Sequence, residues 1–144
     1  MKKNGISLVI VTAAVSIMLL LVSVASVVGS NAINSANFEE YKSVINRVSD
    51  NINEYYISNN KLPIKSSSVN ISSVSDEFKE NLIDNNDKTN KLFVVDMSLL
   101  EDKTIDKGSG TIEDQDVFLV AENTNNVYYM KGYKYKGKVY YGVQ

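Results

Sequence analysis

Phe38-Glu39-Glu40-Tyr41-Lys42-Ser43-Val44-Ile45-Asn46-Arg47-Val48-Ser49-Asp50-Asn51-Ile52-Asn53-Glu54-Tyr55 is the stretch on which the fold turns. Its apolar members Phe38, Tyr41, Ile45, Val48, Ile52 and Tyr55 are spaced 3, 4, 3, 4 and 3 residues apart, the period of one helix face. Val44 and Tyr56 widen the stripe, while Glu39, Glu40, Arg47, Asp50 and Glu54 fall off it. A helix with one apolar stripe must bury it against another element, so the rest of the chain has to supply a cover.

Upstream, the pattern changes from amphipathic to wholly apolar. Ile6 to Gly29 is a run of 24 residues without a charge, preceded by Met1-Lys2-Lys3-Asn4-Gly5. As a helix it measures about 36 Å, enough for a hydrocarbon core of about 30 Å. No proline interrupts Ile6 to Ile57, so one helix of about 80 Å is expected, weakest around Ser23, Ser26 and Gly29. Lys2 and Lys3 precede the run, whereas the first charges after it are Glu39 and Glu40. The positive-inside rule then predicts a single-pass membrane protein with a cytoplasmic N-terminus and an extracellular C-terminal domain. Ser30-Asn31-Ala32 has the small-x-small form of a signal cleavage site, but the apolar run is much longer than the about 7 to 15 residues of a signal peptide.

Lys2-Lys3-Asn4-Gly5-Ile6-Ser7-Leu8-Val9-Ile10 resembles the start of a type IV prepilin or pseudopilin, in the variant of clostridial-like Gram-positive bacteria. The resemblance covers residues 1 to 29, and beyond them only the general layout. It implies cleavage after Gly5 by a prepilin peptidase and N-methylation of Ile6 as the mature terminus. It further implies assembly with other pilin-like subunits through the N-terminal helix, with Ile6, Leu8, Val9 and Ile10 in the assembly segment and membrane lipid around it beforehand. The family usually carries Glu where this chain has Ile10. Loss of that intramembrane carboxylate eases insertion and removes a registration device, which points to a minor subunit rather than an abundant shaft subunit.

Composition narrows the chemistry. The chain has no Cys and no His, which removes disulfides, thiolate metal sites, Ser-His-Asp triads and most zinc chemistry. Ser and Lys are plentiful, yet nothing fixes a dyad or carboxylate pair at a defined spacing. No enzyme activity and no cofactor are expected. Outside the two leader lysines, 13 Lys and Arg face 17 Asp and Glu, giving 13 − 17 = −4, which argues against bulk nucleic-acid affinity.

After the helix, expected to end near Asn59-Asn60 with Pro63 beyond it, residues 61 to 76 read as a surface connection with room for a short strand. A helical turn is expected from Asp76-Glu77 to Leu82, a buried strand from Leu92 to Asp96, and a further helical turn from Met97 to Glu101. Val117 to Val120, Val127 to Met130 and Lys138 to Val143 read as three antiparallel strands with one apolar face, covered by the Phe38–Tyr55 stripe. The expected fold is thus α+β: a leader (1–5), a transmembrane and assembly helix (6–29), its amphipathic continuation (30–58), a connecting αβ region (59–116) and a C-terminal antiparallel sheet (117–144), a pilin-like layout.

Three surface features invite a ligand. Lys131, Lys134, Lys136 and Lys138 alternate with Tyr133 and Tyr135, a pattern suited to gripping a phosphate backbone, so a DNA-binding patch is one reading. On a period-two strand the same alternation simply turns Tyr inward and Lys to water, which is the simpler expectation. Glu113, Asp114, Asp116 and Glu122 flank a strand without the spacing of a calcium loop, so they are expected to be a solvated acidic turn and no metal site. Asn70-Ile71-Ser72 fits the short N-glycosylation pattern, which recurs by chance. The function expected is a structural subunit of a type IV pilus-like or type II secretion-like filament. The alternative is a non-polymerising, membrane-anchored extracellular module that binds DNA or glycan.

Overall fold

A computed structural model describes residues 32–89 and 91–143. The leader, the processing and assembly residues and the expected membrane span, Ile6–Gly29, lie outside the described residues. Among the described residues no helix is long and apolar enough to cross a membrane. Phe38–Gln144 forms one compact unit.

Residues 32–59 are helical (α1). Tyr41, Val44, Ile45, Val48 and Ile52 are buried along one face, while Glu39, Glu40, Asp50 and Glu54 are exposed on the other. Tyr56, expected to widen the stripe, is instead 42% exposed. The helix stops where the amide-rich pair was expected to stop it. Asn60 takes a left-handed φ of 55° and donates its N–H to Tyr56 O at 2.8 Å, closing the last turn in the manner of an αL cap.

Four strands make the main sheet, β1 (Ile64–Asn70), β2 (Lys91–Val95), β3 (Phe118–Ala121) and β4 (Val127–Tyr129), in the order β1-β2-β3-β4 and all antiparallel. Register assigns the side chains to two faces. Val95, Phe118, Val120, Val127 and Tyr129 pack with the stripe of α1 and with Leu100 and Ile105. Leu92, Val94, Leu119, Ala121 and Tyr128 point the other way and pack with Val69, Ile71, Phe78, Leu82 and Tyr141. Phe78 belongs to the short helix α2 (Asp76–Glu80), whose Ser75 cap accepts the Phe78 N–H at 3.2 Å.

Three expectations need correction. The sheet does not lie within residues 117–144, because β1 and β2 come from the connecting region. It is also covered on both faces rather than one. β1 takes up the short strand for which residues 61–76 left room; its Lys65-Ser66-Ser67-Ser68 is exposed, as suits an edge strand whose register shifts at a bulge between Ile64 and Ser68.

The last strand is the third correction. Lys138 does not open a third strand of the main sheet: β6 (Lys138–Tyr140) pairs with β5 (Tyr133–Tyr135) in a separate hairpin. Lys136 (φ 50°) and Gly137 (φ 77°) are both left-handed, the form of a two-residue hairpin turn, and such a turn ties Lys138 to Tyr135 directly. The hairpin is still fastened to the rest. Tyr129 N–H donates to Tyr141 O at 2.7 Å, and Tyr41 Oη donates to Tyr140 O at 2.7 Å.

Ile52 is fully buried and Ile57 is 82% exposed on the same helix. Ile52→Ala should therefore lower the unfolding free energy by about 2–5 kcal/mol, and Ile57→Ala should change it by less than about 0.5 kcal/mol. Urea titration of the near-ultraviolet tyrosine signal in the detergent-solubilised chain checks both values.

Candidate functional site

The lysine and tyrosine segment folds as an aromatic cluster around Phe38. The Phe38 ring stacks on Tyr135 at 4.3 Å and on Tyr133 at 6.0 Å, and meets Tyr140 at 4.8 Å. Tyr41 stacks on Tyr133 at 5.0 Å. The tyrosines of β5 and β6 are therefore half-buried packing groups, not free stacking platforms.

The four lysines are all exposed but do not share a face. Lys134 stands opposite Val139 and Lys138 opposite Tyr135, so neighbouring rungs send them to opposite sides of the hairpin. Lys136 is in the turn, its Nζ 5.3 Å from the Tyr135 ring centre, and Lys138 Nζ lies 5.1 Å from that of Tyr140. Lys131 stands apart, close enough to Asp114 to help hold its carboxyl low.

The acidic residues around β3 are scattered in role. Asp114 Oδ1 accepts N–H bonds from Asp116 and Thr111, both at 2.9 Å, and these pull its carboxyl below the usual carboxylate range. Asp116 Oδ1 accepts from Gly108 N–H at 2.8 Å and from Tyr129 Oη at 2.7 Å. Gly108 has φ +88°, and a Cβ there would strike the Phe118 ring. Glu113 is exposed, and Glu122 lines a separate groove. Among the described residues, no three Asp or Glu side chains converge as a metal ion would need.

A buried carboxylate was missed. Asp87 is wholly buried and accepts from Tyr128 Oη at 2.5 Å, Thr124 Oγ1 at 2.7 Å and Asn126 Nδ2 at 3.0 Å. Tyr128 Oη in turn accepts the Ile83 N–H at 2.9 Å. Burial first, and then the Asp87 hydrogen bond, push the Tyr128 hydroxyl above its ordinary value. In the sequence Asp87 closes Asp84-Asn85-Asn86-Asp87, which reads as a helix stop. Its partners sit 37 to 41 residues away, and no local spacing announces them. With its oxygens engaged by three donors, Asp87 is a structural staple rather than a general base.

A second staple fixes residues 100–105 to α1. Arg47 Nε and Nη2 donate to Asp102 Oδ2 at 2.9 and 2.5 Å, and Asn51 Oδ1 accepts the Asp102 N–H at 3.0 Å. Thr104 donates its hydroxyl and N–H to Asp102 Oδ1, at 2.5 and 3.0 Å. The Thr104 bonds foremost, and Arg47 after them, bring the Asp102 carboxyl down to about 2.

At the C-terminal end of α1, Tyr55, Tyr56, Asn60, Lys61, Leu62, Ile64, Leu99 and Glu122 line a groove of about 550 Å³.

No protein-family model, no curated protein and no solved structure matches the chain.

The pH response follows from these contacts. Burial is the leading cause that raises Tyr41, Tyr128, Tyr129 and Tyr141 above the ordinary value near 10. A raised folded-state value means that the unfolded chain loses these protons first, so the tyrosines' contribution to stability is whole below about pH 10 and falls as pH rises further. Ultraviolet titration should show these four tyrosines ionising only as the near-ultraviolet signal collapses. Asp87→Asn exchanges one acceptor for a donor inside a filled site and should lower stability by about 1–3 kcal/mol in urea, whereas exposed Glu113→Gln should leave the midpoint unchanged.

Proposed function

We propose that this chain is the precursor of a structural subunit of a type IV pilus-like or type II secretion-like filament, and a minor one. The carrying observation is the continuity of design along the first 59 residues. A basic leader ending in Gly5 and an uncharged run from Ile6 lead into a helix whose apolar stripe is buried beneath an antiparallel sheet. A subunit that carries a displayed domain on an assembling helix would use these segments in this order.

In this proposal Lys2 to Gly5 are the leader removed by a prepilin peptidase, and Ile6 becomes the methylated terminus. Ile6 to Val28 is held by membrane lipid first and by other pilin-like subunits afterwards. Leaving the bilayer is tolerable because neighbouring helices replace lipid as apolar surroundings. Ile10 in place of the family's Glu makes the subunit a minor one, since no carboxylate sets its register among its neighbours. The α+β unit from Phe38 onward is displayed outside the cell, without catalysis or cofactor. The staples at Asp87, Asp102 and Asp116 support this, since they spend the chain's best-placed carboxylates on loop fixation.

The alternative, an anchored binding module that never polymerises, keeps its leader. Intact mass and N-terminal sequencing of the protein from cells with a prepilin peptidase separate the two. The filament proposal expects a chain beginning at N-methylated Ile6, and Gly5→Leu should leave the precursor uncut. A wild-type chain still beginning at Met1 would contradict it.

A further inference from the structure

Charge in this chain is segregated. Residues 130–143 hold Lys131, Lys134, Lys136 and Lys138 and no acid. The whole chain has 15 Lys and Arg against 17 Asp and Glu, so the remainder stands at 11 − 17 = −6. Three cations gather at one aromatic cluster. Lys42 Nζ is 5.0 Å from the Phe38 ring centre, Lys136 Nζ is 5.3 Å from that of Tyr135, and Lys138 Nζ is 5.1 Å from that of Tyr140. The Tyr135 and Tyr140 rings both contact Phe38. Glu39 is engaged with Lys42 at 2.7 Å, and Glu40, next to it in the chain, is exposed.

The position of Phe38 in the chain decides what this cluster can meet. Residues 32–38 are helical and contribute about 9 Å, and the three steps from Gly29 add at most about 11 Å. The connecting chain is therefore no longer than about 20 Å, however it is arranged. A membrane that holds the run before Gly29 presents its headgroups within reach of the hairpin. Tyrosine rings with a polar tip and lysines with an apolar stem are the side chains that settle at such an interface.

We propose that the β5–β6 hairpin, through Lys42, Lys136 and Lys138 on the Phe38 cluster, docks on anionic phospholipid headgroups while the subunit awaits assembly. This rests on the membrane-anchored reading above. The attraction is electrostatic and short in range, so it releases when the subunit leaves the bilayer and sets the domain down on the membrane until then. Nucleic acid shares the phosphate chemistry. It lacks the tether that brings the lipid surface within reach.

The absence of native cysteine allows a direct test. The full chain is reconstituted in phosphatidylcholine vesicles with or without phosphatidylglycerol, carrying a fluorophore at Lys134→Cys or, at the far end of α1, at Ile57→Cys. Headgroup-labelled quencher lipid should quench the hairpin label more strongly in anionic vesicles, and salt should relieve it. The label at 57 should respond to neither. Gln at 136 and 138 should lower the docked-to-free ratio about fivefold per lysine, with a smaller loss for Gln at 42, whose charge Glu39 already pairs, and Arg at the same positions should restore it, with the tyrosine signal reporting that each variant is folded. Equal quenching in the two vesicle types overturns the proposal but leaves the anchor standing. So does duplex DNA retention that the Gln variant abolishes while lipid quenching is unmoved. Failure of the chain to float with neutral vesicles overturns the anchor and this proposal together.

Discussion

Everything in the folded unit depends on one contact, the burial of Tyr41, Ile45, Val48 and Ile52 of α1 against Phe118 and Val120 of β3 and their neighbours. Each of these side chains is at most 3% exposed. Burial of a large aliphatic or aromatic side chain is worth about 1.5–3 kcal/mol, so the helix contributes more to the domain than any surface ion pair. The contact also settles the mechanics. A load on the helix reaches the sheet through packed side chains.

The second layer of the account is polar. A domain without cysteine cannot clamp its long connections with disulfides. Here three aspartates hold them: Asp87 fastens residues 83–87 to the β3–β4 turn, Asp102 fastens residues 102–104 to Arg47, and Asp116 fastens residue 108 to Tyr129. Each joins segments far apart in sequence or folds a loop back on itself with charge-assisted bonds, which are stronger than neutral ones. The chain thereby keeps the sheet's second face covered by short elements, while α1 covers the first.

How much was legible follows the range of the interactions. The helix stripe, its stop near Asn59-Asn60, the helical turn from Asp76 to Leu82 and the strands Leu92–Asp96 and Val117–Val120 are written in local spacing, and α1, α2, β2 and β3 stand within two residues of those bounds. The inward turn of Tyr133 and Tyr135 was legible for the same reason. β1 was legible only as room for a short strand within residues 61–76, without bounds or partner, because an exposed edge strand of serines carries almost no apolar signal. The two-sided burial was available in principle: Val117-Phe118-Leu119-Val120-Ala121 is continuously apolar, the mark of a strand covered on both faces. The pairing of β6 was also available, had the two-residue turn at Lys136-Gly137 been taken to fix its partner. Asp87 was not, since its role exists only once Thr124, Asn126 and Tyr128 have been folded onto it.

Hydrogen exchange of the full chain, followed amide by amide, addresses the central claim most directly, that α1 from Phe38 onward and the sheet are one cooperative unit. Amides of residues 45–52 and of Phe118–Val120 should share a single, highest opening free energy and lose it together in Ile52→Ala. A helix that exchanges far faster than β3, or keeps its protection when β3 loses it, would contradict the account.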